Sequence, residues 1–238
     1  MEPKPVYKRV LLKVSGEALA GEKKFGLDFD IIRSVCAAVK QCVDLGVQVG
    51  IVVGGGNFWR GVKDGAGKVE RVSADRMGML ATAMNCLAVA DVLRTLGVDA
   101  RVQTAVEIGG VGERYDTAAA VRYLETGKVV LFACGTGCPF FSTDTAAALR
   151  AAETGAEVIL LAKNIDGVYS ADPKTDPTAV KYDTITYAEV LAQRLAVMDT
   201  TATSLAMDNN IPILVFALAE PENLVRAAMG EQVGTLVH

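Results

Sequence analysis

The run Val47-Gln48-Val49-Gly50-Ile51-Val52-Val53 is apolar and β-branched with almost no polar alternation, and it stops at Gly54-Gly55-Gly56, followed by Asn57-Phe58-Trp59-Arg60-Gly61. A strand without polar alternation offers no face to water, so it belongs inside a sheet covered on both sides. Glycines at the carboxyl end of such a strand let the backbone take positive φ, and let a ligand approach where a Cβ would otherwise stand. Successive backbone N–H groups in that setting suit phosphate oxygens. Arg60 adds a planar, permanently charged fork for the same anion. The same stretch also reads as a plain chain reversal. Phosphate chemistry requires more: a second cradle, a charge between two anions and a substrate pocket.

The chain has 238 residues, 51% of them hydrophobic, enough for one large core. A net charge of −4 without any long Lys/Arg block argues against nucleic-acid and membrane-surface roles. No apolar run reads as a bilayer span and residues 1–8 carry no signal-peptide pattern, so a cytoplasmic soluble protein is expected. The five cysteines, Cys36, Cys42, Cys86, Cys134 and Cys138, lie mostly in apolar segments and read as reduced core residues. Cys134 and Cys138 lack a second pair, which disfavours a zinc site. His238 is the single histidine, which excludes Ser-His-Asp and Cys-His chemistry. Catalysis then rests on Lys, Arg, Asp, backbone N–H groups or a bound metal ion.

Residues 8–14 read as a first strand ending in Lys13-Val14-Ser15-Gly16-Glu17. That places an ammonium beside flexible backbone donors, although the Gly-x-x-x-x-Gly-Lys spacing of a P-loop is absent. Lys13 is either an anion contact or a solvated strand-edge lysine. Residues 18–27 read as a mobile surface loop, and Asp28 as the N-cap of a helix over 29–45. Strand 47–53 follows, giving a βαβ unit with parallel strands and a right-handed crossover. Residues 62–72 read as an exposed loop over the site. Residues 73–96 form a long helix with Leu80, Met84 and Leu87 on one face and Met79, Ala83, Cys86 and Leu93 on the other. A helix apolar on opposite sides is buried within the fold or against another subunit. Asp75, in its first turn, either complements the helix dipole or accepts hydrogen bonds from ribose hydroxyls.

Strands are expected at 98–103 and 128–133, an excursion or hairpin at 108–115 and a helix at 116–125. The second rich stretch is Gly135-Thr136-Gly137-Cys138-Pro139-Phe140-Phe141-Ser142-Thr143-Asp144, between a strand and a helix beginning near Thr143. Hydroxyls and free N–H groups at a helix N-terminus suit a phosphate, and the two aromatics suit a flat base. Asp144 reads as an orienting group for Lys13 or a metal-bound phosphate, or as a helix cap. A strand at 156–162 leads to Lys163-Asn164-Ile165-Asp166-Gly167, then to a stiff loop opened by Asp172-Pro173 and Asp176-Pro177. Helices at 187–192, 199–209 and from 221, with strands at 211–217 and 235–237, complete one domain over 1–238. The alternation predicts an α/β fold, an open, mainly parallel sheet with helices on both faces (an αβα sandwich). Ligands then bind at the carboxyl ends of the strands, where all three glycine and hydroxyl stretches fall.

With these motifs together, the chain resembles the bacterial-type uridylate (UMP) kinases of the amino acid kinase superfamily, from Tyr7 to Leu236. The motifs carrying the likeness are Lys13 to Leu19, Gly54-Gly55-Gly56-Asn57 with Arg60, Asp75 to Thr82, Gly135 to Asp144, and Asp166-Gly167-Val168-Tyr169 with Asp172-Pro173. The resemblance implies an ATP site made by Lys13, Val14, Ser15, Gly16, Gly56, Arg60, Lys163, Asn164, Tyr169 and Asp172, with about 160–238 as the adenine side. It implies a UMP site made by Gly55, Asp75, Thr136, Gly137, Cys138, Pro139, Phe140, Phe141, Ser142 and Thr143. Lys13, Arg60 and Asp144 are the implied catalytic residues. Cys138 stands where the family usually has Asn, and the family's variation around Lys163-Asn164 leaves open which of the two touches ATP.

The chemistry implied is transfer of the ATP γ-phosphoryl group to the 5′-phosphate of UMP, in pyrimidine nucleotide biosynthesis. Such a transfer needs positioning and charge neutralisation rather than a covalent intermediate. The resemblance also implies Mg²⁺ carried in with ATP rather than held by the protein, a hexamer built from dimers, inhibition by UTP and activation by GTP. Arg94 and Arg101 are the basic residues placed to reach a GTP phosphate, with Ala90 where some activated relatives carry Arg. Two rivals stand beside this: an amino acid or carbamate kinase of the same fold, and a nucleotide-binding sensor without turnover.

Overall fold

The first strand, β1 (Arg9–Val14), pairs in parallel with β2 (Gln48–Val53) on one side and with β6 (Val158–Lys163) on the other. Residues 4–60, 65 and 67–238 are described by the computed structural model of the chain. The sheet extends through β3 (Ala100–Thr104), β4 (Glu113–Arg114), β5 (Val129–Ala133), β9 (Thr184–Ile185), β10 (Ile213–Ala217) and β11 (Thr235–Val237), in the order β4-β3-β5-β2-β1-β6-β10-β11-β9. Every pairing is parallel except β10 with β11. The open, mainly parallel sheet expected from the alternation is therefore what forms.

Alternate residues of each central strand feed opposite faces, because the side-chain period of a strand is two. Leu12, Ile51 and Leu131 point into one core with helices α2 (Phe29–Asp44) and α3 (Arg71–Thr95). Leu11, Val52 and Val130 point into the other, against α4 (Thr117–Glu125) and α5 (Thr143–Thr154). Three short helices, α6 (Tyr187–Gln193), α7 (Thr200–Asp208) and α8 (Glu222–Ala228), complete the two outer layers. Each fully buried Leu, Ile or Val contributes ~1.5–3 kcal/mol, so strands lined on both faces anchor the loops at their ends.

Several expectations change. Residues 18–27 are not a surface loop: α1 (Gly16–Ala20) and a 3₁₀ turn (Gly21–Lys23) lie there, with Leu19 and Ala20 buried. Ala18 and Leu19 join the α2-side core, and the Leu19 carbonyl accepts from the Asp28 N–H at 2.7 Å, so a short apolar run pins the segment. The 108–115 segment is an excursion, not a hairpin, since β4 returns parallel to β3. An antiparallel ribbon, β7 (Val168–Tyr169) with β8 (Lys181–Tyr182), carries the Asp-Pro loop at its tip. Of the loop expected over 62–72, residues 62–64 and 66 lie outside the described residues.

Helix α3 has the length and apolarity of a bilayer span, contrary to the expectation that no run does. Its inner face is nonetheless a core face, with Met79, Ala83, Cys86, Ala90 and Leu93 buried. Its outer face leaves Met77, Leu80, Met84 and Leu87 at 40%, 52%, 46% and 39% exposure, the two-sided pattern expected of an interface helix. The helix starts two residues earlier than expected, so Asp75 sits past its first turn.

Candidate active site

The carboxyl ends of β1, β2, β5 and β6 come together, and with them the segments singled out in the sequence. Two clefts flank their meeting point. The smaller, about 280 Å³, is lined by Gly55, Arg60, Asp75, Thr136, Cys138, Phe141, Ser142 and Thr143, with Trp59 and Thr82. The larger, about 690 Å³, is lined by Lys13, Ser15, Lys163, Asn164, Tyr169 and Asp172, and is closed by Gln193 to Ala196. Both volumes suit small ligands of nucleotide scale.

Lys13, only 8% exposed at the end of β1, forms an ion pair with Asp144 at 2.5 Å. Asp144 is not the helix cap. Ser142 takes that role, its Oγ accepting from the N–H groups of Asp144 (2.9 Å) and Thr145 (3.2 Å), which leaves the Asp144 carboxylate to face the lysine. Lys163 lies near the same pair. Its ammonium donates to the carbonyls of Ala196 (3.0 Å) and Val197 (2.5 Å), and burial pushes its pKa down. Asp144 pulls that pKa back up and the Lys13 charge adds to its depression, so two ammonium groups share one carboxylate. Such a cluster carries excess positive charge where anions would meet.

The two glycine stretches touch backbone to backbone. A Cβ on Gly16 would lie 2.4 Å from the Gly54 carbonyl oxygen, and one on Gly55 would lie 2.8 Å from the Gly78 carbonyl of α3. Gly16 and Gly55 are thus required by close approach rather than by φ. The Gly54 N–H donates to the Val14 carbonyl at 2.9 Å. The Val14 side chain is buried in the core, so it is the backbone of Val14 that lies at the site.

Arg60 lines the smaller cleft and pairs with Glu17 at 2.8 Å, a residue of the larger cleft's lining that the sequence reading passed over. Asp75 accepts from the Phe140 N–H and from Arg71 Nε, both at 2.8 Å. It therefore ties α3 to the 135–143 stretch rather than complementing the helix dipole. That stretch is held in left-handed backbone at Cys134 (φ 65), Gly135 (φ 60), Gly137 (φ 80) and Phe140 (φ 72). Non-glycine residues there are uncommon and point to a tightly specified loop. Phe140 is exposed with the Arg71 guanidinium 4.9 Å above its ring, and Gly137 and Pro139 stand outside the cleft lining.

Cysteine placement corrects one expectation. Cys36, Cys42, Cys86 and Cys134 are buried, and burial pushes the thiols of Cys36 and Cys42 up to about 12. Cys138 is exposed on the cleft wall. Arg94 and Arg101 are not part of either cleft. Arg94 donates to the Ala100 carbonyl (2.8 Å from Nη2), and Arg101 pairs with Asp99 (3.1 Å) beside the Tyr123 ring, at the amino end of β3.

Two residues of the site carried no signal in the motifs. Asp199 caps α7 and also accepts from Ser142 Oγ and from Thr145 Oγ1 at 3.1 Å, so it couples the helix starts of α5 and α7. Asn85, fully buried on α3, bonds the Gly54 carbonyl. A polar residue inside an otherwise apolar helical stretch is the clue that would have found it.

The model of the amino acid kinase family matches residues 8–217. Among solved structures, the chain is similar to a UMP kinase from Bacillus anthracis at 39% identity and a TM-score of 0.94, over 98% of this chain and 96% of that one. It is similar to a UMP kinase from Ureaplasma parvum at 36% identity and a TM-score of 0.90, over 100% and 99%. A uridylate kinase from Archaeoglobus fulgidus matches at 29% identity and a TM-score of 0.75, over 96% and 99%.

Proposed function

The chain belongs to the amino acid kinase family, and from that premise we propose that it is a UMP kinase, transferring the γ-phosphoryl group of ATP to UMP to give UDP and ADP. The observation that carries this reading is the Lys13–Asp144 pair, with Lys13 in the lining of the larger cleft and Asp144 next to Thr143 of the smaller. The larger cleft takes ATP, with its phosphates toward Lys13, Ser15 and Lys163. The smaller takes UMP, with Asp75 toward the ribose and the 135–143 stretch around the base. Asn164, Tyr169 and Asp172 form the adenine side.

Two polyanions approaching each other need their charge offset and their oxygens held. Lys13 and Lys163 supply the charge, Asp144 fixes Lys13, and the glycine loops supply N–H donors. The acceptor phosphate oxygen is already ionised at neutral pH, so no general base is required. Mg²⁺ enters with ATP, and when bound it neutralises phosphate charge. In this reading the phosphate oxygens of the nucleotides are its ligands.

The same reading extends to assembly, regulation and setting. The exposed apolar stripe of α3 supports a homo-oligomer, built to a hexamer from dimers through that face. UTP inhibits by occupying the UMP cleft. GTP activates at the amino end of β3, where Arg101 and Lys128 stand over Tyr123, Lys128 being a basic residue the sequence reading did not include. A cytoplasmic place in pyrimidine biosynthesis follows from the substrates. Coupled ADP release with UMP, CMP, dTMP, glutamate and aspartate as acceptors tests the reading. Turnover with UMP alone or far above the rest is expected; turnover with an amino acid would replace it, and binding without turnover would leave a sensor.

A further inference from the structure

Asn57 and Asn85 form a closed amide pair beneath the glycine loop. Asn57 Nδ2 donates to Asn85 Oδ1 at 2.9 Å, and Asn85 Nδ2 donates to Asn57 Oδ1 at 2.7 Å. Each nitrogen has one further bond. Asn85 reaches the Gly54 carbonyl at 2.6 Å, and Asn57 reaches the Gly26 carbonyl at 2.7 Å. Both side chains are 0–1% exposed, and the outer partners are carbonyls that only accept, so neither amide can be turned around.

We infer that Asn85 is a positioning residue for phosphoryl transfer, setting the peptide plane between Gly54 and Gly55. A trans peptide is planar, so fixing its carbonyl also fixes the following N–H in the opposite direction. No acceptor among the described residues takes the Gly55 N–H, and Gly55 lines the smaller cleft. Asn85 thus holds a cleft donor in place from behind, without touching either nucleotide. Glycines on both sides of this peptide leave it little conformational restraint of its own. The bond from Asn85, seated in a rigid helix, provides what the glycines lack.

The inference rests on the kinase reading for its catalytic arm, and a second arm reads the loop without turnover. In Asn85→Asp, one carboxylate oxygen faces the Gly54 carbonyl oxygen, and two acceptors repel. A buried carboxyl in that position takes up a proton above the ordinary carboxylate range. Its O–H then restores one of the two bonds that Asn85 Nδ2 donated, the one to the Gly54 carbonyl or the one to Asn57 Oδ1. At pH 7.5 the expected kcat is ~10–100-fold below wild type, the scale of a slightly misplaced catalytic geometry, with KM for ATP and UMP changed less. Part of that loss is regained as pH is lowered toward 5.5, relative to wild type at each pH. Asn85→Leu fills the same space, gives a similar loss and shows no recovery in acid. Wild-type kcat in both variants, or a loss in Asn85→Asp with a pH profile parallel to wild type, would overturn the inference. In the second arm, hydrogen exchange at the amides of Phe58 and Trp59, which both donate to the Gly55 carbonyl at 3.0 Å, should quicken ~10-fold or more in Asn85→Leu while β1 and β6 stay protected. Unchanged exchange there overturns the inference whatever the acceptor is. A wild-type protein inactive with UMP, together with faster exchange in Asn85→Leu, would sink the kinase reading and leave the loop-positioning role standing.

Discussion

Lys13 and Asp144 meet at 2.5 Å across the seam between β1 and α5, with 10% and 21% of their side chains exposed. A buried charge that loses its partner is costly, so each residue depends on the other. Lys13→Ala should lower kcat ~10²–10⁴-fold, the scale for deleting a single electrostatic group. Asp144→Asn should do nearly as much, and the double variant little more than either, because residues acting as a unit are not additive. Steady-state kinetics on the four proteins decides this. Independent, multiplying effects would separate the two roles.

Arg60 lines the smaller cleft, and if it reaches across to the ATP phosphates as the kinase reading has it, Glu17 would compete with them for its guanidinium. The pair is 41% and 44% exposed, which limits it to ~1 kcal/mol or less. Glu17→Gln should therefore lower KM for ATP by up to about five-fold, the same free energy expressed as affinity. A fall confined to UMP would move Arg60 to the acceptor side.

Asp75→Asn keeps the size of the side chain and removes its charge. Hydrogen bonds to charged groups contribute ~1.5–3 kcal/mol, so KM for UMP should rise ~10–100-fold with KM for ATP little changed. Titrating each nucleotide against wild type and variant measures it. The opposite pattern would reverse the assignment of the two clefts.

Burial lowers the Lys163 pKa, and the sign of its effect on stability is opposite to that on rate. Below the folded-state pKa the folded chain carries the full cost of a buried charge. Between that pKa and the ordinary lysine value the unfolded chain binds more protons, so stability contributed by this group rises with pH. Catalysis loses its ammonium over the same window. The alkaline limb of kcat should therefore begin below the ordinary lysine range, and Lys163→Arg should move it upward. A limb unmoved by that substitution would assign it to another group.

The outer stripe of α3 gives a prediction about mass. Wild-type protein should sediment as an oligomer at micromolar concentration, and Leu80→Glu with Met84→Glu should shift it toward monomer. A wild-type monomer would remove the interface.

Most of the strand and helix order was legible because the central strands lack polar alternation and the helices carry clear caps. Asp28, Asp116, Thr186 and Asp199 all accept from helix N–H groups, as their residue types predict. Residues 18–27 misled because polarity was read from composition, whereas Ala18, Leu19 and Ala20 are enough to seat α1 on the core. Arg60 and Lys13 were legible as charges at strand ends. Glu17, Asn85 and Asp199 were not, since their meaning comes from partners 43, 31 and 57 positions away. Spacing within one segment carries no trace of those pairings.

The contact of Gly16 with the Gly54 carbonyl has a consequence for how such a protein can change its substrate. Two loops with no room for a single methyl group between them move as one piece, so neither can be retuned alone. The 135–143 stretch makes no such contact with Gly16, and its Cys138 and Phe141 stand on an open wall. A library aimed at new phosphate acceptors belongs on that wall, together with Asp75. Any substitution at Gly16 would be lost from such a library for every acceptor alike.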